Sequence, residues 1–198
     1  NKGENLTQTG REQGIRRLMS INLLKRLESS VHSFQLTLTR IKGLIDSTIE
    51  AINRFEKYGT ADITMYEAQE NEFDMDDGNT DYFSVGKKVK IDLADMDYKT
   101  WRTELQQDAE VLELLTLMVA DITPEHDSKL QELFALLSQK IEHPINPDNK
   151  KVIIFSAFSD TAEYLYENVS TYVKKKYGLD TAVITGSIDG KTTIKGFK

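Results

Sequence analysis

Apolar residues recur along the first quarter of the chain at seven-residue intervals: Leu24, Val31, Leu38, Ile45 and Ile52. Leu27, Phe34, Ile41 and Phe55 fill the neighbouring row, in which Thr48 is the polar member. Two adjacent rows at this spacing form a heptad stripe, which predicts one helix from Ile15 to Phe55, about 60 Å long at ~1.5 Å per residue. A helix of that length needs a partner along it. The stretch beginning at Tyr98 supplies one, with Trp101, Leu105, Leu112, Leu115, Val119 and Ile122 in helical register and Pro124 ending it. A third, shorter helix uses Leu130, Phe134, Leu137 and Ile141. These segments read as an antiparallel helical hairpin or small bundle.

The pattern changes after HPINPDNKK, where two prolines, two asparagines and a shift in charge mark a boundary. VIIF, residues 152–155, is a continuous apolar run of the buried-strand type. Asp160 with Glu163 three residues on reads as a helix cap. Ala162, Leu165, Tyr166, Val169 and Val173 then give an inner face, and Gly178 gives a stop. TAVIT, residues 181–185, reads as a second buried strand. Strand, helix and strand in that order predict a parallel crossover. The expected fold is therefore mixed: a helical region over residues 1–146, then the beginning of a parallel α/β sheet over 147–198.

Charge divides the chain in the same places. Residues 11–57 carry nine basic and five acidic groups, 58–149 carry seven and 21, and 150–198 carry eight and five. The net charge of -7 argues against nucleic-acid binding over the whole surface, but leaves two basic ends on which a phosphate backbone could lie. Arg11, Arg16, Arg17, Lys25 and Arg26 make the long helix basic at its start; a phosphate-facing stripe and a solvated face both fit. Residues 58–98 form an acidic insert, expected to be a mobile connector with a short strand through Val85, Val89, Ile91 and Leu93. It fails as a calcium loop: with Gly78 in the fixed glycine place, Phe73 and Met75 stand where oxygen ligands are needed.

There is no cysteine, which excludes disulfides and thiolate metal sites and fits a reducing, cytoplasmic setting. His32, His126 and His143 lack metal spacing, so neither a metal site nor a catalytic set is expected. No apolar run is long enough to span a membrane. The chain lacks an initiator methionine, so a piece of a longer protein is expected.

GSIDGKTT, residues 186–193, looks like a phosphate-binding loop but is one residue short: Gly186 and Gly190 enclose three residues where four are required. Neither a long helix nor a magnesium-binding strand follows within the chain. The isolated chain is expected to lack ATPase activity.

NKKVIIFSAFSDTAEYLYENV, then DTAVITGS, then TTIKGF resembles the opening of the C-terminal RecA-like lobe of superfamily 2 helicases of the SWI/SNF-like bacterial type. Phe155, Ser156, Phe158 and Thr161 match the family's fourth motif region. Gly186 and Ser187 match the turn after the second strand, and Ile194 and Phe197 the helix beyond. LLKRLESSVHSF is similar to the helical segment before that lobe. The Walker lysine loop, the DEAH-type strand and the arginine finger are not in this sequence, and Lys191 lies near the place of the arginine that precedes Ile194 in the family.

The resemblance implies a fragment of an ATP-dependent helicase or translocase, with ATP and magnesium used by the parent protein and no cofactor in this piece. It also implies contact with a DNA or RNA backbone near the two strand-to-helix turns. Ser156, Phe158, Ser159, Thr185, Gly186, Ser187 and Lys191 are the candidate contact residues. The expected partners are nucleic acid, the remaining lobes of the parent, and a second copy through the heptad seam. The alternative function is a coiled-coil protein-interaction module with a small α/β cap.

Overall fold

The computed structural model describes residues 8–59, 93–186 and 189–196. Most of the acidic insert, including the suggested strand residues Val85, Val89 and Ile91, lies outside the described residues, as do Ser187 and Phe197. The described residues form five α-helices: α1 (Gln8–Ser29), α2 (Val31–Tyr58), α3 (Tyr98–Ala120), α4 (Ser128–Glu142) and α5 (Ser159–Tyr177). A two-stranded ribbon follows, β1 (Ala182–Val183) with β2 (Lys191–Thr192). No helix among the described residues is long and apolar enough to cross a membrane.

The long helix is broken. Ser30 takes an extended conformation (φ -156°, ψ 148°), and its Oγ accepts the Ser33 N–H at 3.0 Å, capping α2. Serine competes for backbone hydrogen bonds in this way, so the Ser29–Ser30 pair can start a new helix inside a continuous heptad pattern. The break changes which face is inside. After it, Phe34, Leu38 and Ile52 are buried, as the stripe requires. Before it, Leu24 and Leu27 of the same rows are exposed, and Asn22 and Arg26 are buried instead.

Helices α2 and α3 run antiparallel. Phe55 meets Tyr98 edge-on at 5.4 Å where one ends and the other starts. At the opposite end the Gln35 side chain donates to the Val119 carbonyl. Asp97 caps α3 by accepting the Thr100 N–H at 3.1 Å. Just upstream, Leu93 sits fully buried against Ile52, with Phe55, Trp101 and Leu105 around them. A second core lies between α4 and α5, where Leu137 and Ile141 pack on Val169 and Val173. Phe134 stacks on Tyr172 at its edge, with ring centroids 4.2 Å apart.

The parallel sheet is overturned. Residues 152–155 belong to no helix or sheet, and β1 pairs antiparallel with β2, Ala182 opposite Thr192 and Val183 opposite Lys191. The physical reason lies in the partners available. A buried parallel strand needs a neighbour along its edge and cover on both faces, whereas β1 finds its partner about ten residues further along the chain. That return is fixed by threonine: Thr193 N–H donates to the Thr181 carbonyl at 2.9 Å, and the Thr193 hydroxyl accepts the Thr181 N–H at 2.9 Å. The Lys174 ammonium, then the Thr193 hydroxyl, hold the Asp180 carboxyl below its usual range and tie the ribbon to α5. Around Ile194 the chain turns and passes through Gly196 at φ 86°, with no helix among the described residues there.

Helix α5 also starts differently from its expected cap. Phe158 is the residue before the helix, without a side-chain cap, and Asp160 lies inside the first turn. The buried face comprises Ser159, Thr161, Tyr164, Val169 and Val173, so Leu165 and Tyr166 are only partly covered. The C-terminal stop is at Gly178 (φ 67°), whose N–H returns to the Lys174 carbonyl. Leu179 N–H returns to Val173 at 3.4 Å, completing a glycine-terminated helix end.

Candidate nucleic-acid interface

Three elements converge at the start of α5: the end of α1, the start of α2, and the turn that follows the apolar run. Asp160 organises them. Its Oδ2 accepts from Arg40 Nη1 at 2.7 Å and Arg26 Nη1 at 3.1 Å, and its Oδ1 accepts from Arg40 Nη2 at 3.0 Å. Arg40 thus grips the carboxylate with two parallel bonds, the geometry that a guanidinium fits best. The carboxylate also sits in the first turn of α5, where the helix dipole favours negative charge. The side chains of Arg26, Asp160 and Arg40 are 4%, 12% and 17% exposed, so the cluster is largely closed to water.

The surrounding groups are as ordered. The Arg26 guanidinium covers the Phe158 ring, 4.7 Å from its centroid. Thr161 Oγ1 shares hydrogen bonds with Ser29 Oγ at 2.9 Å and Ser30 Oγ at 3.1 Å. The serine pair that breaks the long helix therefore also docks α5.

A cleft of about 540 Å³ opens beside this cluster. Asn22, Lys25 and Ser29 line it from α1, Phe155 and Ser156 from the turn, and Thr161 from α5. Lys25 is exposed and makes no ion pair among the described residues. Ser156 closes its own turn: its hydroxyl accepts the Phe158 N–H at 3.3 Å and donates to the Phe158 carbonyl at 3.1 Å. The Ser156 proton is thus held within the turn, and the exposed Lys25 ammonium is the group at the cleft that suits a phosphate oxygen, which takes positive charge without base readout.

The seven candidate contact residues separate into groups. Ser156 lines the cleft. Phe158 lines its floor but is buried beneath Arg26, which makes it a packing residue, and Ser159 is buried as the first residue of α5. Thr185 is half-buried and Gly186 exposed on the connection after β1, away from the cleft lining. Lys191 lies on β2, with Nζ 3.6 Å from Glu163 Oε2 on α5. Ser187 lies outside the described residues.

The aromatic that the cleft presents is Phe155, not Phe158. Asn22 and Ser29 carried no sequence signal of their own, since polar residues on a long helix read as its solvated face. The adjacent serines at 29 and 30 were the available clue. Among the described residues no cluster of histidine, aspartate and glutamate could hold a metal ion. Comparison with protein-family models, with curated proteins and with solved structures finds no match.

Proposed function

We propose that this chain is part of an ATP-driven nucleic-acid helicase or translocase acting in the cytoplasm. In this reading it grips the phosphate backbone and couples a helical segment to the next lobe, without hydrolysing ATP itself. The observation that carries the reading is the cleft where Lys25 and Ser29 of α1 face Ser156 and Phe155. It lies at the turn whose residues carry the helicase resemblance. The Arg26–Asp160–Arg40 cluster behind it fixes the two sides of the cleft to one another. A motor needs such a fixed joint, because force reaches the nucleic acid only through parts that move as one body.

The test is fluorescence anisotropy with a labelled single-stranded oligonucleotide, at about 50 mM salt and at about 200 mM. Weak binding that falls with salt is expected, and Lys25→Ala should reduce the log–log salt slope by about one. Binding that is absent at the lower salt, or unchanged by Lys25→Ala, overturns the assignment.

A second reading, as a protein-interaction module, draws on α3. Val111, Leu114, Leu117 and Met118 are exposed apolar residues of α3. Sedimentation showing a stable self-complex lost in Leu114→Asp, together with no oligonucleotide binding, would favour it.

A further inference from the structure

A second cavity, of about 400 Å³, lies between the start of α2, the connection from α3 to α4, and the middle of α5. It shares no lining residue with the cleft beside Lys25, so it stands apart from the nucleic-acid reading. Its size suits a side chain or a small molecule. One wall is a pair of rings. His32 of α2 lies flat on Tyr164 of α5, with centroids 4.7 Å apart and planes 11° from parallel. Tyr164 is buried, and its hydroxyl donates to Asp127 Oδ2 at 3.0 Å. Asp127 Oδ1 in turn accepts the Leu130 N–H at 3.1 Å, capping α4. The ring pair is thus tied to α2, α5 and the start of α4 before any ligand arrives.

The charged groups of the lining are of one sign. Asp127 and Glu167 bring two carboxylates, and no lysine or arginine lines the cavity among the described residues. Glu167 is exposed and forms no ion pair among the described residues. Gln35 and Asn168 each donate a side-chain amide N–H to a backbone carbonyl, of Val119 and Tyr164 respectively. Their amide oxygens accept no hydrogen bond among the described residues. Such a lining repels phosphate and carboxylate groups and suits a cation that carries several donors.

We infer that the cavity receives an arginine side chain from a partner polypeptide, its guanidinium flat against His32 and forked onto the Glu167 carboxylate. A guanidinium is planar, always charged, and carries five donors and no acceptor. It stacks on ring faces and binds a carboxylate through two parallel bonds. Tyr164 takes one face of His32, which leaves the other face and the ring edge for the ligand. An ammonium would meet Glu167 but has no plane to lay on a ring. Free arginine would bring its own carboxylate toward Asp127 and Glu167, which favours an arginine held within a chain.

The probe is N-acetyl-arginine amide, titrated into the isotope-labelled full chain at about pH 8, because a charged imidazole would repel it. The amide signals of His32, Gln35, Glu167 and Asn168 should shift together, with a dissociation constant of about 1 mM, the strength open to one small ligand. N-acetyl-lysine amide and free arginine should each bind about ten-fold more weakly, and the uncharged isostere N-acetyl-citrulline amide not at all. Glu167→Gln replaces a charged acceptor with a neutral one at an exposed position. It should weaken binding about ten-fold while leaving helical circular dichroism and oligonucleotide binding unchanged. His32→Ala should weaken binding about five-fold, and His32→Phe, which keeps a ring to stack on, should restore it. The assignment is overturned if the citrulline, lysine or free-arginine probe binds as tightly as the blocked arginine, or if Glu167→Gln binds normally. Shifts confined to other residues, or no shift at about 20 mM probe, likewise overturn it.

Discussion

Replacing Asp160 with alanine removes the carboxylate that Arg26 and Arg40 share. The Arg26 guanidinium cannot recover water without the joint opening, because it is buried, with one face on the Phe158 ring and Ser33 beside it. Breaking a buried pair from one side leaves an uncompensated charge, a loss of about 3–5 kcal/mol. Domains have only about 5–15 kcal/mol to lose. At an m-value of about 2 kcal/mol per molar urea, the midpoint should therefore fall by about 1.5–2.5 M. Asp160→Asn keeps the shape and one acceptor and should fall between alanine and the parent. The control is Asp46→Ala, which breaks the exposed Lys42–Asp46 pair (2.9 Å) one turn apart on α2 and should leave the midpoint unchanged. Converting both Arg26 and Arg40 to methionine in the Asp160→Ala background should recover most of the loss, since no buried charge then remains. The measurement is equilibrium urea unfolding followed by circular dichroism. If Asp160→Ala shifts the midpoint no further than Asp46→Ala does, at equal m-value, the cluster is not what joins α5 to the first two helices.

Three further outcomes are expected. Ser30→Ala removes the α2 cap and one partner of Thr161, and should lower stability by about 1–2 kcal/mol in the same assay. Gly178→Ala meets no atom within 4 Å, so its cost is the left-handed backbone alone, about 1 kcal/mol; a neutral result would show that the end of α5 rearranges freely. Burial, and then donation from its hydroxyl to Asp127 Oδ2 at 3.0 Å, raise the Tyr164 phenol above its ordinary value. The folded chain then holds this proton where the unfolded chain has lost it. Its contribution is whole below about pH 10 and drains away as pH rises beyond. Unfolding at about pH 9 and pH 11 should show that drop in the parent and a flatter dependence in Tyr164→Phe; equal slopes would refute it.

The helices were legible because each carries a repeated local signal. Leu130, Leu137 and Ile141 recur at helical spacing and are the buried residues of α4. Gly178 ends α5 because a residue without a Cβ takes the left-handed turn at low cost. Phe34, Leu38 and Ile52 lie inside for the same periodic reason. The break at Ser30 was hidden by that periodicity, since the heptads continue through it. It shows only once Thr161, about 130 positions away in sequence, is seen to share hydrogen bonds with Ser29 and Ser30.

The sequence by itself determined which stretches are helical, that α5 stops at Gly178, and that residues 152–155 and 181–185 favour an extended chain. Those properties follow from neighbours within a turn or two. Only the tertiary structure decided how the extended stretches pair. A strand is completed by hydrogen bonds to another segment, and no spacing within the strand names that segment. The same limit separated Phe155 from Phe158. Phe155 ends the apolar run and Phe158 follows it, but Arg26, a residue distant in sequence, covers the Phe158 ring and leaves Phe155 at the mouth of the cleft.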